Sequence, residues 1–201
     1  MKKFVFLALS FLMVSFSSIP IEKHKKIIFI NPKSELKIIG SSNVNTFKCV
    51  FNVENLKRPL EINYIENVNV IRFQRSTLVL KNSFFDCGGN GINRDFHELL
   101  RTKEHPQILL TLKEIEKETN AENKLKALVE IQIAGVSRSY YVAVQADQKD
   151  SLHISGGLKL NISDFDLEAP KKMMGLIVVS ENIEIVFNLF LENASDTLRL
   201  D

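Results

Sequence analysis

An all-β domain with one short helix, closed as an antiparallel barrel or packed as a sandwich, is predicted by three observations. Apolar and polar residues alternate at a period of two along most of the chain, the mark of half-buried strands. Helical spacing of apolar residues occurs in one place, around residues 92–101. No internal repeat and no Gly/Ser linker divides the 201 residues, so successive strands joined by short turns form one domain.

The elements follow in order. Met1-Lys2-Lys3 is a short basic region, and Phe4 to Phe16 is apolar except for Ser10 and Ser15. A spanning helix takes roughly 20 apolar residues, so this run reads as a secretory signal peptide instead. Small residues at Ser15 and Ser17 place cleavage after Ser17, which makes residues 1–17 the signal peptide. The mature protein is therefore expected to be periplasmic or secreted, with no stable membrane insertion. Residues 18–33 form a mixed lead-in, in which Ile27–Ile30 can pair as a short strand.

The main domain is expected over 34–191. Leu36 and Ile38 alternate with Glu35 and Lys37; Phe47, Cys49, Phe51 and Val53 then share one face. Asn69–Phe73 and Thr77–Lys81 are two further short strands. Ile92, Phe96, Leu99 and Leu100 make the helical stripe, with Asn93, Asp95, Glu98 and Arg101 opposite, and Pro106 ends it. Ile108, Leu110 and Leu112 resume the strand period. Leu125, Ala127, Val129, Ile131 and Ile133 form the cleanest strand, and the turn after Ile133 returns as Tyr140, Val142 and Val144. Leu152, Ile154, Leu158 and Leu160 share the next face, with Gly156-Gly157 expected to bulge or bend the strand. Ile183, Ile185, Phe187, Leu189 and Leu191 make the last strand, with Val186 and Phe190 on its other face. Residues 192–201 are expected to fray as a tail.

Composition narrows function by exclusion. Apolar residues at 45% and charged ones at 25% argue against disorder. The net charge is +2, and Lys2 and Lys3 account for it, so a nucleic-acid partner has no electrostatic footprint here. Cys49 and Cys87 are the two cysteines, and in an oxidising compartment a disulfide is the default. Buried free thiols and a reactive thiol are the alternatives. Elsewhere the motifs of catalysis are missing: no GxSxG, no HExxH, no Walker A and no dinucleotide fingerprint. Cys87-Gly88-Gly89-Asn90-Gly91 lacks the Lys-Ser/Thr of a phosphate loop and reads as a turn feeding the helix. His24, His97, His105 and His153 show no metal spacing. Asp164, Asp166 and Glu168 lack the glycine and further oxygens of a calcium loop, so a solvated turn is expected. Lys171-Lys172 reads as exposed loop, with contact to an anionic headgroup as the sharper alternative. No catalytic residue, metal or cofactor is expected, and the protein is read as a non-enzyme.

Three segments in order resemble the YceI-like domain family of exported bacterial proteins. They are FDCGGNGINRDFHELLRTKEHPQILLTLKEI (85–115), the IAGVSRSYYVAV hairpin (133–144) and LKLNISDFDLEAPKKMMGLIVVSENIEIVFNLFL (158–191). The resemblance runs from about Leu36 to Leu191. It implies a lipocalin-like, extended antiparallel β-barrel of eight strands with a helix near one end. It also implies an amphiphilic lipid inside, such as an isoprenoid quinone or a polyprenyl compound. Combined with the alternation, the expected apolar lining is Phe51, Val129, Ile131, Tyr140, Val142, Leu158, Leu160, Ile185 and Phe187. Two other readings stand beside it. One is a filled β-domain acting as an interaction module, with Val186 and Phe190 in a contact patch and room for a homodimer. The other is an enzyme with Cys49 or Cys87 as the nucleophile.

Overall fold

The computed structural model describes residues 23–117, 123–148, 151–172 and 175–193. The expected signal peptide and the segment beyond Asn193 lie outside the described residues. Along the chain come β1 (Lys23–Ile30), β2 (Glu35–Ser41), β3 (Thr46–Phe51), β4 (Leu60–Glu66), β5 (Val70–Arg75), β6 (Thr77–Lys81) and β7 (Phe85–Asp86). Helix α1 (Asn90–Leu99) is followed by β8 (Gln107–Lys117), β9 (Lys124–Ile133), β10 (Val136–Gln148) and β11 (Leu152–Asn161). A small ribbon of β12 (Lys171–Lys172) and β13 (Ile177–Val178) precedes β14 (Asn182–Asn193).

The strands β1-β4-β5-β8-β9-β10-β11-β14 pair in that order, and β14 returns to β1 through Ile28↔Asn193 to Ile30↔Leu191. Eight antiparallel strands thus close a ring, and the barrel alternative is the one realised. Two strands are long enough to serve two storeys. β14 pairs with β1 at its C-terminal end and with β2 over Glu184–Asn188. β8 pairs with β5 over Glu114–Glu116 and with β6 over Gln107–Thr111. Between them the Ser76 hydroxyl donates to the Leu112 carbonyl at 2.6 Å. In the upper storey the ring is closed by β1, β4 and β5. In the lower storey β2, β3 and β7 extend from β14 and β6 from β8, and the 3₁₀ turn Asn82–Phe84 joins β6 to β7.

The lower storey is closed by side chains. Leu100 is buried, and Ile92, Phe96 and Leu99 pack from α1 onto a core containing Cys49, Phe51, Phe85, Leu160 and Phe165. Cys49 on β3 and Cys87 beyond β7 are joined as a disulfide. The Gly-rich segment that follows is an ordered turn. Asn93 accepts from the Cys87 N–H at 2.6 Å and donates to Asp86 at 2.9 Å, and Asp86 also accepts from the Gly88 N–H. Those bonds, that from Asn93 foremost, hold the Asp86 carboxyl below its usual range. The β9–β10 turn places Ala134 and Gly135 at φ of 47° and 85°, the left-handed pair a two-residue hairpin loop requires. A Cβ on Gly135 would also lie 2.7 Å from the His105 ring.

Four expectations are adjusted. β1 extends over eight residues, beginning at Lys23 rather than Ile27. β4, which alternation did not single out, runs beside β1. β14 continues to Asn193, so Glu192 and Asn193 are strand, paired with Phe29 and Ile28. Gly156-Gly157 carries no bulge: the register with β14 passes through both residues, while pairing with β10 ends at Gly156.

Candidate functional site

The upper storey encloses a cavity of about 240 Å³. Alternation builds its wall, since each strand turns every second residue inward. Leu125, Ala127, Val129 and Ile131 come from β9, Val142 and Val144 from β10, and Leu189 and Leu191 from β14. Among the described lining residues, Ser76 has the one polar side chain, and its hydroxyl is committed to the Leu112 carbonyl. Room for the wall's largest side chain depends on a missing one: a Cβ on Gly156 would sit 2.6 Å from the Phe187 ring. The interior therefore offers dispersion and exclusion of water, with almost no hydrogen bonding.

The upper rim differs. On the face of β1 that carries Ile28 and Ile30, the next residues upward are Lys26 and His24. On the corresponding face of β4, Tyr64 and Glu66 follow Leu60 and Ile62. His24 stacks on Tyr64 at 5.0 Å, the Lys26 ammonium lies 5.9 Å from the centre of that ring, and Lys117 pairs with Glu66 at 2.9 Å. The Lys117 hydrogen bond and charge hold the Glu66 carboxyl below its ordinary range. A polar rim above an apolar chamber matches the two ends of an amphiphile.

A second, smaller cavity of about 70 Å³ lies in the lower storey against α1, touched by Phe96, Leu99, Leu100 and Cys49. Leu36, Leu110 and Ile185 line both cavities.

Of the nine residues expected to line the interior, Val129, Ile131, Val142, Leu158, Ile185 and Phe187 meet at the upper cavity. Phe51, Tyr140 and Leu160 do not. Phe51 is buried in the lower core, with its ring edge-on to Phe84 and Phe85, and Leu160 is buried in the same core. Tyr140 lies at the seam where β10 and β11 part. Its hydroxyl donates to Asp164 at 2.9 Å, and burial, then Asp164, pushes its pKa up to about 12. Sequence reasoning missed the contributions of β1 and β4, although the alternation of Ile28 and Ile30 was visible. Phe190 and Val186, read as a contact patch, are half-buried. The His153 ring covers Phe190 at 4.5 Å, and the Phe190 backbone bonds to Asn31 and Ser34. Lys171-Lys172 stands in the ribbon docked against the β2–β3 turn, at the lower end and away from the polar rim. Among the described residues no group of His, Cys, Asp and Glu is disposed to hold a metal, and no helix is long and apolar enough to cross a membrane.

No protein-family model matches the sequence, and no curated protein matches it. Solved structures do resemble it. A polyisoprenoid-binding domain from Saccharophagus degradans, implicated in plant cell wall breakdown, aligns with a TM-score of 0.62 at 14% identity, over 84% of this chain and 99% of that one. BcnA of Burkholderia cenocepacia aligns with a TM-score of 0.57 at 17% identity, over 81% and 99%. A mutant Campylobacter jejuni YceI protein aligns with a TM-score of 0.50 at 14% identity, over 96% and 98%. These likenesses show the fold: the chain adopts the lipocalin-like architecture of YceI proteins.

Proposed function

We propose that this protein is an exported member of the YceI-like family that holds the apolar tail of an isoprenoid amphiphile in its upper chamber. The observation that carries the reading is the closed ring of strands around about 240 Å³ of apolar space. The polyisoprenoid-binding domain of the same fold supports the ligand class. The signal-like first 17 residues and the Cys49–Cys87 bridge support export to an oxidising compartment.

The driving force is burial of the apolar tail. A buried methylene contributes about 0.8 kcal/mol, so an isoprene unit brings roughly 3–4 kcal/mol. Association costs on the order of 4–15 kcal/mol, and each enclosed unit offsets a substantial part of that without a headgroup contact. An apolar cavity of about 150 Å³ takes up a benzene ring. By that measure the upper chamber encloses roughly ten carbons, or two isoprene units. The protein contributes shape and dryness and performs no chemistry on the ligand.

Native mass spectrometry of protein purified from a bacterial periplasm, followed by organic extraction, tests the reading. A discrete added mass, extractable as an isoprenoid, is expected. Ala127→Phe, which puts a ring into the chamber, is expected to remove it. A clean apo mass with no uptake of offered quinones or polyprenols would refute lipid holding.

A further inference from the structure

The barrel interior is divided, and three side chains divide it. Leu36 from β2, Leu110 from β8 and Ile185 from β14 each face the upper cavity on one side and the lower cavity on the other. They come from strands that serve both storeys or from the strand beside them. Leu36 is buried at 4% exposure, whereas Leu110 and Ile185 are half-buried. Below them the lower cavity is blocked by α1 through Phe96 and Leu99 and by Cys49 of the disulfide. A tail entering from the polar rim therefore meets aliphatic side chains before it meets the end of the barrel.

From this we infer that Leu36, Leu110 and Ile185 form the floor of the binding chamber and set the length of tail the protein can enclose, the lower cavity being apolar space held in reserve behind them. The inference rests on the lipid-holding reading and adds a specificity determinant to it. Carbons beyond the floor's reach stay at the rim in contact with water and contribute little. Affinity should thus rise with tail length until the upper chamber is full, then level off. Removing part of the floor adds the lower cavity of about 70 Å³ and the volume of the lost methyls. Scaled from the benzene-sized cavity, that gives about one further isoprene unit.

The test compares geraniol, farnesol and geranylgeraniol, alcohols of two, three and four isoprene units, bound to the full-length mature protein and measured by native mass spectrometry. In the wild type, affinity for geranylgeraniol is expected to exceed that for geraniol by less than tenfold. In Leu110→Ala the same ratio is expected to grow at least tenfold, the gain appearing between geraniol and farnesol. An unchanged ratio in a variant with a native circular dichroism spectrum overturns the floor while leaving lipid holding intact. If neither protein takes up any of the three alcohols, lipid holding fails and the floor falls with it. Should Leu110→Ala not fold, Ile185→Val removes a single methyl and is expected to move the ratio about threefold in the same direction; no movement there overturns the floor equally.

Discussion

The two storeys of this barrel are sealed by different means. Among the described residues, the lower one is built on a single cluster of sixteen buried residues, including Phe51, Phe85 and Phe165, which reaches up to Leu36 and Ile131 at the upper cavity. The upper one has a separate cluster of three, Ala127, Val142 and Val144, packed by half-buried side chains such as Leu112, Leu125 and Ile154, with Ile28 and Ile30 buried elsewhere in its wall. In the upper storey backbone ladders close the ring, so its side chains are free to leave space between them. In the lower storey the ladder is incomplete, and helix, disulfide and aromatic rings fill what pairing leaves open. Hydrogen-bonded closure leaves about 240 Å³ open, whereas closure by packing leaves about 70 Å³. Stability and capacity are thereby assigned to opposite ends of one continuous sheet.

The largest stability effects should come from the lower end. Phe165 is wholly buried, and Phe165→Ala is expected to cost about 3–5 kcal/mol in urea unfolding. A loss below about 1 kcal/mol would erase the contrast between the storeys. Replacing both cysteines by serine frees a loop of 38 residues' separation and should cost about 2–4 kcal/mol, read as a lower denaturation midpoint. A matched pair sharpens the comparison further. Leu160→Ala, in the packed core, should cost about 3–4 kcal/mol, and Leu189→Ala, which borders empty space, about 2 kcal/mol or less. Equal costs would mean the upper storey is as tightly filled as the lower. The smallest effect belongs to Tyr140→Phe, about 1 kcal/mol for one hydrogen bond. Its signature is in pH. With the phenol's folded pKa raised to about 12 from 10.0, the folded state retains a proton that the unfolded state releases. The associated stability is present below about pH 10 and is lost as pH rises through 12, and the variant should lack that component.

Alternation made most strands legible, because β3 and β8 to β11 each keep one face on the apolar interior over much of their length. β1 and β4 were obscured for a physical reason. Near the rim the inward face turns polar, with His24 and Lys26 above Ile28 and Tyr64 and Glu66 above Ile62, and the two-residue contrast disappears. The cavity was legible in face but not in height. Phe51 and Leu160 do point inward, as their period requires, but at the level where the barrel is filled. A period of two carries no information about which storey a residue occupies. That depends on the β2–β14 and β5–β8 registers, which pair segments far apart in the chain.

The parting of β10 from β11 at Gly156 has a consequence beyond the core. Over Val136–Ala143, β10 keeps β9 on one edge and, among the described residues, has no strand on the other. An open edge of that length is a template on which another chain can add a strand. The 3₁₀ turn Ile162–Phe165 lies along it, tied by the Tyr140–Asp164 hydrogen bond and anchored by Phe165. The turn that completes the hydrophobic core thus also occupies the edge on which a further strand would otherwise pair.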